Sequence, residues 1–373
     1  MGAGQPGRMI VAKVGSSTLV DADGAPDKAF IGRLCDQIAQ LVSEGDRVVL
    51  VSSGAAAAGF RRLGLPSRPH DKPRAQACAA AGQAALTEIY AEALEGHHVP
   101  CGQVLLTRDD VMARTGYLNV RNTFDALLEL GAVPVVNEND TVSPTEFDFG
   151  DNDMLGAIVS VIVGADLYVI LSDIDGLHTA DPRKDPGAPL VRRIERVDSS
   201  VLAMAGGAGS LVGTGGMASK VRAGRAMITA GIPLVVCQGR MDDVLVRVAH
   251  GEELGTRFER AGGRSHEAPR KLWIGLASVP LGTVVVDAGA ERALTERGAS
   301  LLPVGVTSVS GAFEPGDVVS VVSQDGELLA RGIARYSSTE LDKARGLRLD
   351  VIARFYPERA GQPAIHRDEL LVF

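Results

Sequence analysis

The sequence predicts an α/β fold with a mostly parallel sheet covered by helices on both faces, followed by a small β-rich domain. Two observations lead to this expectation. Up to about residue 250, short apolar runs alternate with segments whose apolar residues recur at helical spacing. Such continuous apolar strands between helices are typical of parallel sheets buried on both faces. Beyond about residue 255, β-branched runs separated by glycine turns replace this alternation.

The individual elements follow from these patterns in chain order. In the first part, apolar runs predict strands at 9–14, 48–51, 133–136, 167–171 and 233–237. Helical periodicity predicts helices at 30–42, 75–94, 153–163 and 217–230. In the last part, β-branched runs predict strands at 282–286, 305–309, 317–322 and 328–333. Asp325 and Gly326 are a hairpin signal between the last two strands, and residues 261–264 indicate a linker.

Composition narrows the classes of function. A chain of 373 residues with 45% hydrophobic and 23% charged residues can bury a sizeable core, most simply as two domains. The net charge of −8 argues against nucleic acid or an anionic membrane as the main partner. The chain has neither a transmembrane run nor a signal-peptide pattern, which favours a cytoplasmic protein. The four cysteines are widely spaced and indicate neither a zinc site nor a disulfide framework.

Six polar or glycine-rich segments follow predicted strands or precede predicted helices, where ligands bind in open α/β sheets. Lys13 lies within the first strand, so it either faces an anion or extends its ammonium group to solvent. Residues 52–59 are small and allow close backbone approach to a ligand, or form an ordinary tight turn. Residues 137–142 and 172–177 are polar and either contact a ligand or are plain loops and turns. Asp153 either serves the helix dipole or orients nearby lysines or a metal.

The glycine-rich segment 213–220 precedes a predicted helix and is the strongest phosphate-binding signal of the sequence. It has neither Walker A spacing nor the position of a Rossmann fingerprint. Lysines, glycine turns and acidic residues at one sheet edge suit phosphoryl transfer, in which positioning and charge neutralisation supply most of the catalysis. The residues alone therefore predict a nucleotide-dependent transferase acting on a small anionic or polar substrate.

Taken in order, the segments 11–17, 53–54, 137–140, 150–153, 172–177 and 213–217 resemble the glutamate 5-kinases of the amino-acid-kinase family. The resemblance covers nearly the whole chain, and the region from about Trp273 to Phe355 resembles a PUA domain. It implies a three-layer α/β/α sandwich of the carbamate-kinase type at residues 1–260, which binds ATP and glutamate and carries the catalysis. It also implies a small PUA-like barrel at residues 270–373.

The resemblance further implies ATP- and Mg²⁺-dependent phosphorylation of the γ-carboxylate of L-glutamate to L-glutamyl 5-phosphate, the first step of L-proline biosynthesis. The implied catalytic residues are Lys13, Lys220 and Asp153. The implied glutamate-binding residues are Ser53, Asn137, Asp140 and Asn152. The implied ATP-binding residues are Lys13, Ser172, Asp173, Thr214, Gly215, Gly216, Met217, Ala218, Ser219 and Lys220. No side chain is assigned to the metal.

The family resemblance carries further expectations and leaves two alternatives. It implies feedback inhibition by L-proline and a homo-oligomer, either a dimer or a tetramer. Ala56, Gly156 and Ser219 depart from its pattern, where a branched apolar residue, serine and threonine are usual. One alternative is a related kinase acting on another carboxylate such as N-acetylglutamate. The other, an RNA-binding PUA protein, is less favoured because Lys13, Asp153 and Lys220 are all present. In addition, residues 264–373 carry 13 Lys and Arg against 14 Asp and Glu.

Overall fold

The computed structural model describes residues 7–21, 25–67, 69, 71–107, 110–111, 114–143, 152–206, 216–261, 280–355 and 357–373. The chain divides into two compact units, Met1–Ser265 and His266–Phe373. In the described part of the chain, no helix is both long enough and apolar enough to cross a membrane.

The N-terminal unit is built on one eight-stranded sheet. Its strands are β1 (Met9–Val14), β2 (Arg47–Val51), β3 (Cys101–Leu106), β4 (Val133–Glu138), β5 (Leu167–Ser172), β6 (Arg193–Ile194), β7 (Leu234–Gln238) and β8 (Thr256–Phe258). They lie in the order β3-β4-β2-β1-β5-β7-β8-β6. All pairs are parallel except β7 with β8. The five predicted strands of this unit are all present.

Helices cover the sheet. They are α1 (Ser16–Leu19), α2 (Lys28–Ser43), α3 (Ala55–Gly59), α4 (Lys72–Glu95), α5 (Arg114–Glu129), α6 (Asn152–Val163), α7 (Ser199–Met204), α8 (Met217–Ala230) and α9 (Val244–Ala249). Alternate residues of β1 point to opposite faces. Ile10, Ala12 and Val14 share a core with α2, α4 and α9. The other face packs against α6, which contacts β1, β5 and α8. The fold-class prediction of a three-layer α/β sandwich is confirmed.

Two glycines set a close helix crossing beside the sheet. A Cβ atom at Gly59 of α3 would lie 1.8 Å from the carbonyl oxygen of Cys78 on α4. A Cβ atom at Gly82 of α4 would lie 1.9 Å from the carbonyl oxygen of Ala55 on α3. Both distances are far below van der Waals contact, so only glycine permits this approach. The crossing holds α3, which directly follows the end of β2, tightly against α4.

The C-terminal unit contains a second, five-stranded sheet. Its strands are β9 (Gly282–Val286), β10 (Val306–Gly311), β11 (Val318–Val322), β12 (Leu328–Ile333) and β13 (Leu370–Val372), in the order β10-β9-β11-β12-β13. Among the described residues of this unit, three α-helices accompany the strands: α10 (Ala288–Arg297), α11 (Ser338–Ala344) and α12 (Leu349–Phe355). β11 and β12 pair antiparallel across the predicted Asp325-Gly326 turn. The predicted β-rich domain is confirmed, and its own apolar core joins the sheet to α10, α11 and α12.

Candidate active site

The carboxyl ends of four neighbouring parallel strands bring the predicted site residues to one edge of the sheet. β4, β2, β1 and β5 are adjacent and parallel. Lys13 lies at the end of β1, Ser53 just beyond β2, Asn137 at the end of β4 and Ser172 at the end of β5. In an open α/β sheet this edge is the usual place for a ligand.

Asp153 lies at the centre of a buried charge cluster. Its Oδ1 atom is 2.6 Å from Lys13 Nζ, and its Oδ2 atom is 3.2 Å from Lys220 Nζ. Ser219 donates a hydrogen bond of 2.6 Å from its hydroxyl to the same Oδ2. Lys13, Asp153 and Lys220 are 6%, 1% and 7% exposed. Lys13 therefore does not extend to solvent, and the cluster carries two positive charges against one negative charge.

Asp153 is ionised at neutral pH. Burial raises the pKa of Asp153, but the charges of Lys13 and Lys220, with hydrogen bonds from Lys13 and Ser219, outweigh burial and hold it at about 2. A group with so low a pKa is a poor proton acceptor. Its carboxylate instead fixes the two ammonium groups, so the cluster suits the neutralisation of an incoming anion.

Helix α8 carries Ser219 and Lys220 in its first turns. The helix begins after Gly216, whose φ of 82° lies in the left-handed region that favours glycine. Lys220 Nζ lies within 3.5 Å of the Gly216 carbonyl oxygen, so the side chain turns back toward the start of the helix. The free N–H groups at the beginning of a helix attract anions. Met217 and Ala218 belong to this turn, whereas Thr214 and Gly215 lie outside the described residues.

A second cluster, made of amides and hydroxyls, lies beside the charge cluster. Asn152 Nδ2 is 2.8 Å from Asn137 Oδ1, 3.1 Å from Ser53 Oγ and 2.6 Å from the Ser52 carbonyl oxygen. Asn137 in turn donates to Gln83 Oε1 on α4 at 2.6 Å. Asn152 is the residue before Asp153, so the start of α6 links the two clusters.

A cavity of about 130 Å³ opens onto this amide cluster. It is lined by Ser16, Gly54, Ala55, Ala56, Ala57, Asn137, Glu138, Asp140 and Asn152. Gly54 has a φ of 80° and forms the turn from β2 into α3, which leaves the Ser53 side chain beside Asn152. Gln76 donates to the Asp140 carbonyl oxygen at 2.9 Å and holds that loop in place. Polar groups on several sides of so small a cavity suit a small polar substrate.

Ser172 and Asp173 lie on the other side of β1 from Ser53. Ser172 is buried at the end of β5, and its hydroxyl is 3.1 Å from Asp173 Oδ1. Gln238 at the end of the next strand, β7, donates to the Asp173 carbonyl oxygen at 3.2 Å. The backbone N–H of Gly15 bonds to the Leu171 carbonyl oxygen, so this region is continuous with the end of β1.

The structure thus brings every described residue of the predicted site to one sheet edge. Two residues in contact with these clusters were missed from the sequence: Gln83, which accepts from Asn137, and Tyr168, which donates to the Asp153 carbonyl oxygen. Gln83 could have been found as the one amide side chain in the alanine-rich stretch 77–86 of α4. Tyr168 lies inside an apolar strand and gives no such signal.

The described side chains of the site form no cage for a metal ion. Across the described ranges, no group of three or more His, Cys, Asp or Glu residues is arranged to hold a metal. Both carboxylate oxygens of Asp153 already face lysines. Mg²⁺ commonly keeps several waters and binds through substrate phosphates, so it needs no all-protein cage.

Two family models and many full-length relatives match this chain. The amino acid kinase family model matches residues 8–238, and the PUA domain model matches residues 282–356. The chain is 45% identical over 365 residues to the glutamate 5-kinase of Geobacter sp. (strain M21), covering 98% of this chain and 97% of that relative. It is 46% identical over 374 residues to the glutamate 5-kinase of Caulobacter vibrioides (strain NA1000 / CB15N), covering 100% and 98%. The UMP kinase structure from Bacillus anthracis matches with a TM-score of 0.49 at 15% identity, over 70% of this chain and 100% of that chain.

Proposed function

The chain belongs to the amino acid kinase family, and from that premise we propose that it transfers the γ-phosphoryl group of ATP to the γ-carboxylate of L-glutamate. The product is L-glutamyl 5-phosphate, which supplies L-proline biosynthesis. The observation that carries the proposal is the buried Asp153, held between Lys13 and Lys220 at the edge of the sheet. That arrangement supports phosphoryl transfer between two anions.

The two lysines address the main obstacle to this reaction. A glutamate γ-carboxylate is already ionised at pH 7, with a reference pKa near 4.3, so no catalytic base is needed. The obstacle is the approach of one anion to another. Lys13 and Lys220 bind the ATP phosphates and neutralise charge on the phosphoryl group in transit. Asp153 holds both ammonium groups in place, one at each carboxylate oxygen. The cluster keeps one net positive charge.

The amide cluster and its cavity take the glutamate. Ser53, Asn137, Asp140 and Asn152 provide hydroxyl, amide and carboxylate groups that suit the α-amino and α-carboxylate groups of an amino acid. Asn152 precedes Asp153, so a substrate bound by Asn152 lies next to the lysines. Binding the two reactants side by side supplies much of the rate enhancement of a transfer reaction.

We propose that ATP binds at the same edge of the sheet, on the side of β5 and the start of α8. We propose that Ser172 and Asp173 contact the nucleotide. The same role is proposed for the glycine-rich segment, that is, for Thr214, Gly215, Gly216, Met217, Ala218, Ser219 and Lys220. The start of α8 adds its free N–H groups to the charge of Lys220. Mg²⁺ bound to the phosphates would neutralise further charge on the transferred group.

The domain bounds, the location, the oligomeric state and the regulation of the protein are further predictions of this proposal. Residues 1–260 form the kinase domain and residues 270–373 the PUA-like domain. The proposal includes a cytoplasmic location, a homo-oligomer of two or four chains, and feedback inhibition by L-proline. RNA binding by the PUA-like domain is not favoured, because that region carries almost no net charge.

Hydroxylamine trapping of the acyl phosphate tests the proposal. With ATP and Mg²⁺, L-glutamate should give a hydroxamate, whereas N-acetylglutamate should give little. Lys13→Ala and Lys220→Ala should each abolish most of the signal, and Lys28→Ala, at an exposed lysine of α2, should not. A signal from N-acetylglutamate alone, or intact turnover in both site variants, would refute the proposal. Salt-sensitive RNA binding without turnover would favour the alternative.

A further inference from the structure

Tyr168 is a fully buried tyrosine whose hydroxyl group reaches the backbone of the charge cluster. It lies on β5, paired with Val11 of β1. Val11 and Lys13 share one face of β1, because alternate residues of a strand point the same way. The Tyr168 hydroxyl donates a hydrogen bond of 2.8 Å to the carbonyl oxygen of Asp153. The side chain of Asp153 is thus held by lysines, and its backbone is held by a phenol from the sheet.

Gly156 makes room for that phenol. A Cβ atom at Gly156 would lie 2.2 Å from the Tyr168 hydroxyl oxygen and 2.6 Å from the ring carbon that bears it. Both distances are shorter than any real Cβ contact. Gly156 sits inside α6, where glycine is less favourable than alanine by roughly 0.5–1 kcal/mol. The tyrosine therefore requires a glycine that the helix alone would not select.

We propose that Tyr168 and Gly156 form a positioning pair that fixes the first turn of α6, and through it places Asp153 between Lys13 and Lys220. The inference rests on the proposed kinase function. In an α-helix the carbonyl of residue 153 accepts from the N–H of residue 157. The Tyr168 hydroxyl adds a second bond to this carbonyl from outside the helix. It ties the helix start, and with it Asn152, to the strand beside Lys13.

The contact between Tyr168 and Gly156 also accounts for the glycine at position 156, where the resemblance to the family leads one to expect serine. A serine in a helix can bond back to the carbonyl three or four residues earlier. At position 156 those carbonyls belong to Asp153 and Asn152, so a serine would serve the same turn from within the helix. In this chain a hydroxyl group on the sheet takes that role, and position 156 must then lack a side chain.

Tyr168→Phe is the direct test, since it keeps the ring and removes only the donor. We expect kcat to fall about fivefold to tenfold, in proportion to one hydrogen bond. The KM values for ATP and L-glutamate should change less than twofold. The matched control is Tyr336→Phe in the C-terminal unit, where a buried tyrosine donates to the Gln362 carbonyl oxygen at 3.0 Å. That control should leave kcat unchanged.

Moving the hydroxyl group from residue 168 to residue 156 distinguishes a positioning role from simple packing. Gly156→Ser alone should lower both kcat and the unfolding temperature, because its Cβ meets the phenol. Tyr168→Leu alone should lower kcat. The double variant should recover kcat to within about threefold of the wild type, since the serine hydroxyl replaces the lost donor; residues in contact are expected to couple in this way.

Each outcome has a defined meaning. An unchanged kcat in Tyr168→Phe, in an enzyme that is active on glutamate, overturns the positioning role and leaves the proposed function standing. A double variant no more active than the poorer single variant also overturns it. A wild-type chain that does not phosphorylate glutamate overturns the proposed function instead. A kcat loss in Tyr168→Phe with rescue in the double variant supports the pair.

Discussion

Lys13 Nζ lies 2.6 Å from Asp153 Oδ1, although Lys13 belongs to the first strand and Asp153 to a helix from the middle of the chain. Both side chains are almost completely buried. A buried ammonium group without a partner would be strongly unfavourable. Asp153 supplies the carboxylate that compensates the buried ammonium group of Lys13, and a charge interacts more strongly inside a protein than in water. Removing the Asp153 carboxylate would therefore leave the Lys13 ammonium group buried without its partner.

Asp153→Asn is expected to abolish most of the activity. It leaves two buried ammonium groups facing a neutral amide, so both lysines lose the contact that places them. We expect kcat to fall by at least about 100-fold. Breaking a buried ion pair by removing one partner also costs roughly 3–5 kcal/mol of stability. Steady-state kinetics and urea unfolding measure the two effects.

Asp46→Asn is the matched control for that variant. Asp46 is also a buried carboxylate of the N-terminal unit, and it pairs with Arg8 at 2.5 Å. It lies outside both clusters of the active site, so its loss should lower stability but leave kcat within about twofold. An Asp153→Asn variant with more than about a tenth of the wild-type kcat would contradict the assigned role.

The low pKa of Asp153 makes the stability of the N-terminal unit depend on pH, with a loss of stability in acid. The folded state holds this pKa at about 2, against a reference value of 3.8. A carboxyl whose pKa is lower when folded stabilises the protein above its unfolded pKa. That contribution is lost as the pH falls from about 4 toward 2, because the unfolded chain then binds the proton more tightly. The stabilisation at neutral pH amounts to about 2 kcal/mol.

Unfolding free energies of wild type and Asp153→Asn, compared from pH 6 to pH 2.5, measure this contribution. Hydrogen exchange of peptides from α6 and β1 restricts the measurement to the N-terminal unit. The difference between the two proteins should be constant above about pH 5 and should shrink below pH 4, since all other carboxyl groups are common to both. Parallel curves over the whole range would show that Asp153 is not stabilised in this way.

The sequence predicts the strands and the residues at their ends well, because both depend on local patterns. Lys13, Asn137 and Ser172 each follow an apolar run, and parallel strands must end at one edge. Contacts between distant elements carry no such pattern. The hydroxyl of Tyr168 is hidden in an apolar strand, and the Gly59–Gly82 crossing depends on a helix separation that no periodicity encodes. Strand β3 was missed because it is a half-buried edge strand with glycine and glutamine in it. Strands β6, β8 and β13 were missed as well, because two or three residues are too few to show a pattern.

Asn152→Ala is expected to weaken glutamate binding selectively. The amide of Asn152 donates hydrogen bonds to the Ser53 hydroxyl, the Ser52 carbonyl oxygen and Asn137 Oδ1. The substitution removes all three contacts from the wall of the cavity. We expect the KM for L-glutamate to rise about tenfold or more, at roughly 1.4 kcal/mol per factor of ten. The KM for ATP should change little. Asn119→Ala, at an exposed position on α5, is the control, and an equal rise for both substrates would argue against a glutamate-specific role.

Gly82→Ala is expected to disturb the glutamate cavity from a distance. Its new Cβ atom would lie 1.9 Å from the Ala55 carbonyl oxygen, so α3 must move away from α4. Such overpacking costs about 1–3 kcal/mol and should lower the unfolding temperature. Because α3 follows Ser53 and Gly54, and Gln83 contacts Asn137, the KM for L-glutamate should rise severalfold while the KM for ATP stays close to wild type.

Gly32→Ala in α2 is the matched control, since a Cβ atom there meets nothing within 4 Å. That control should stabilise the protein by about 0.5–1 kcal/mol without a change in KM. If both glycine variants left the glutamate KM unchanged, the crossing would support only the packing of the helices and not the shape of the cavity.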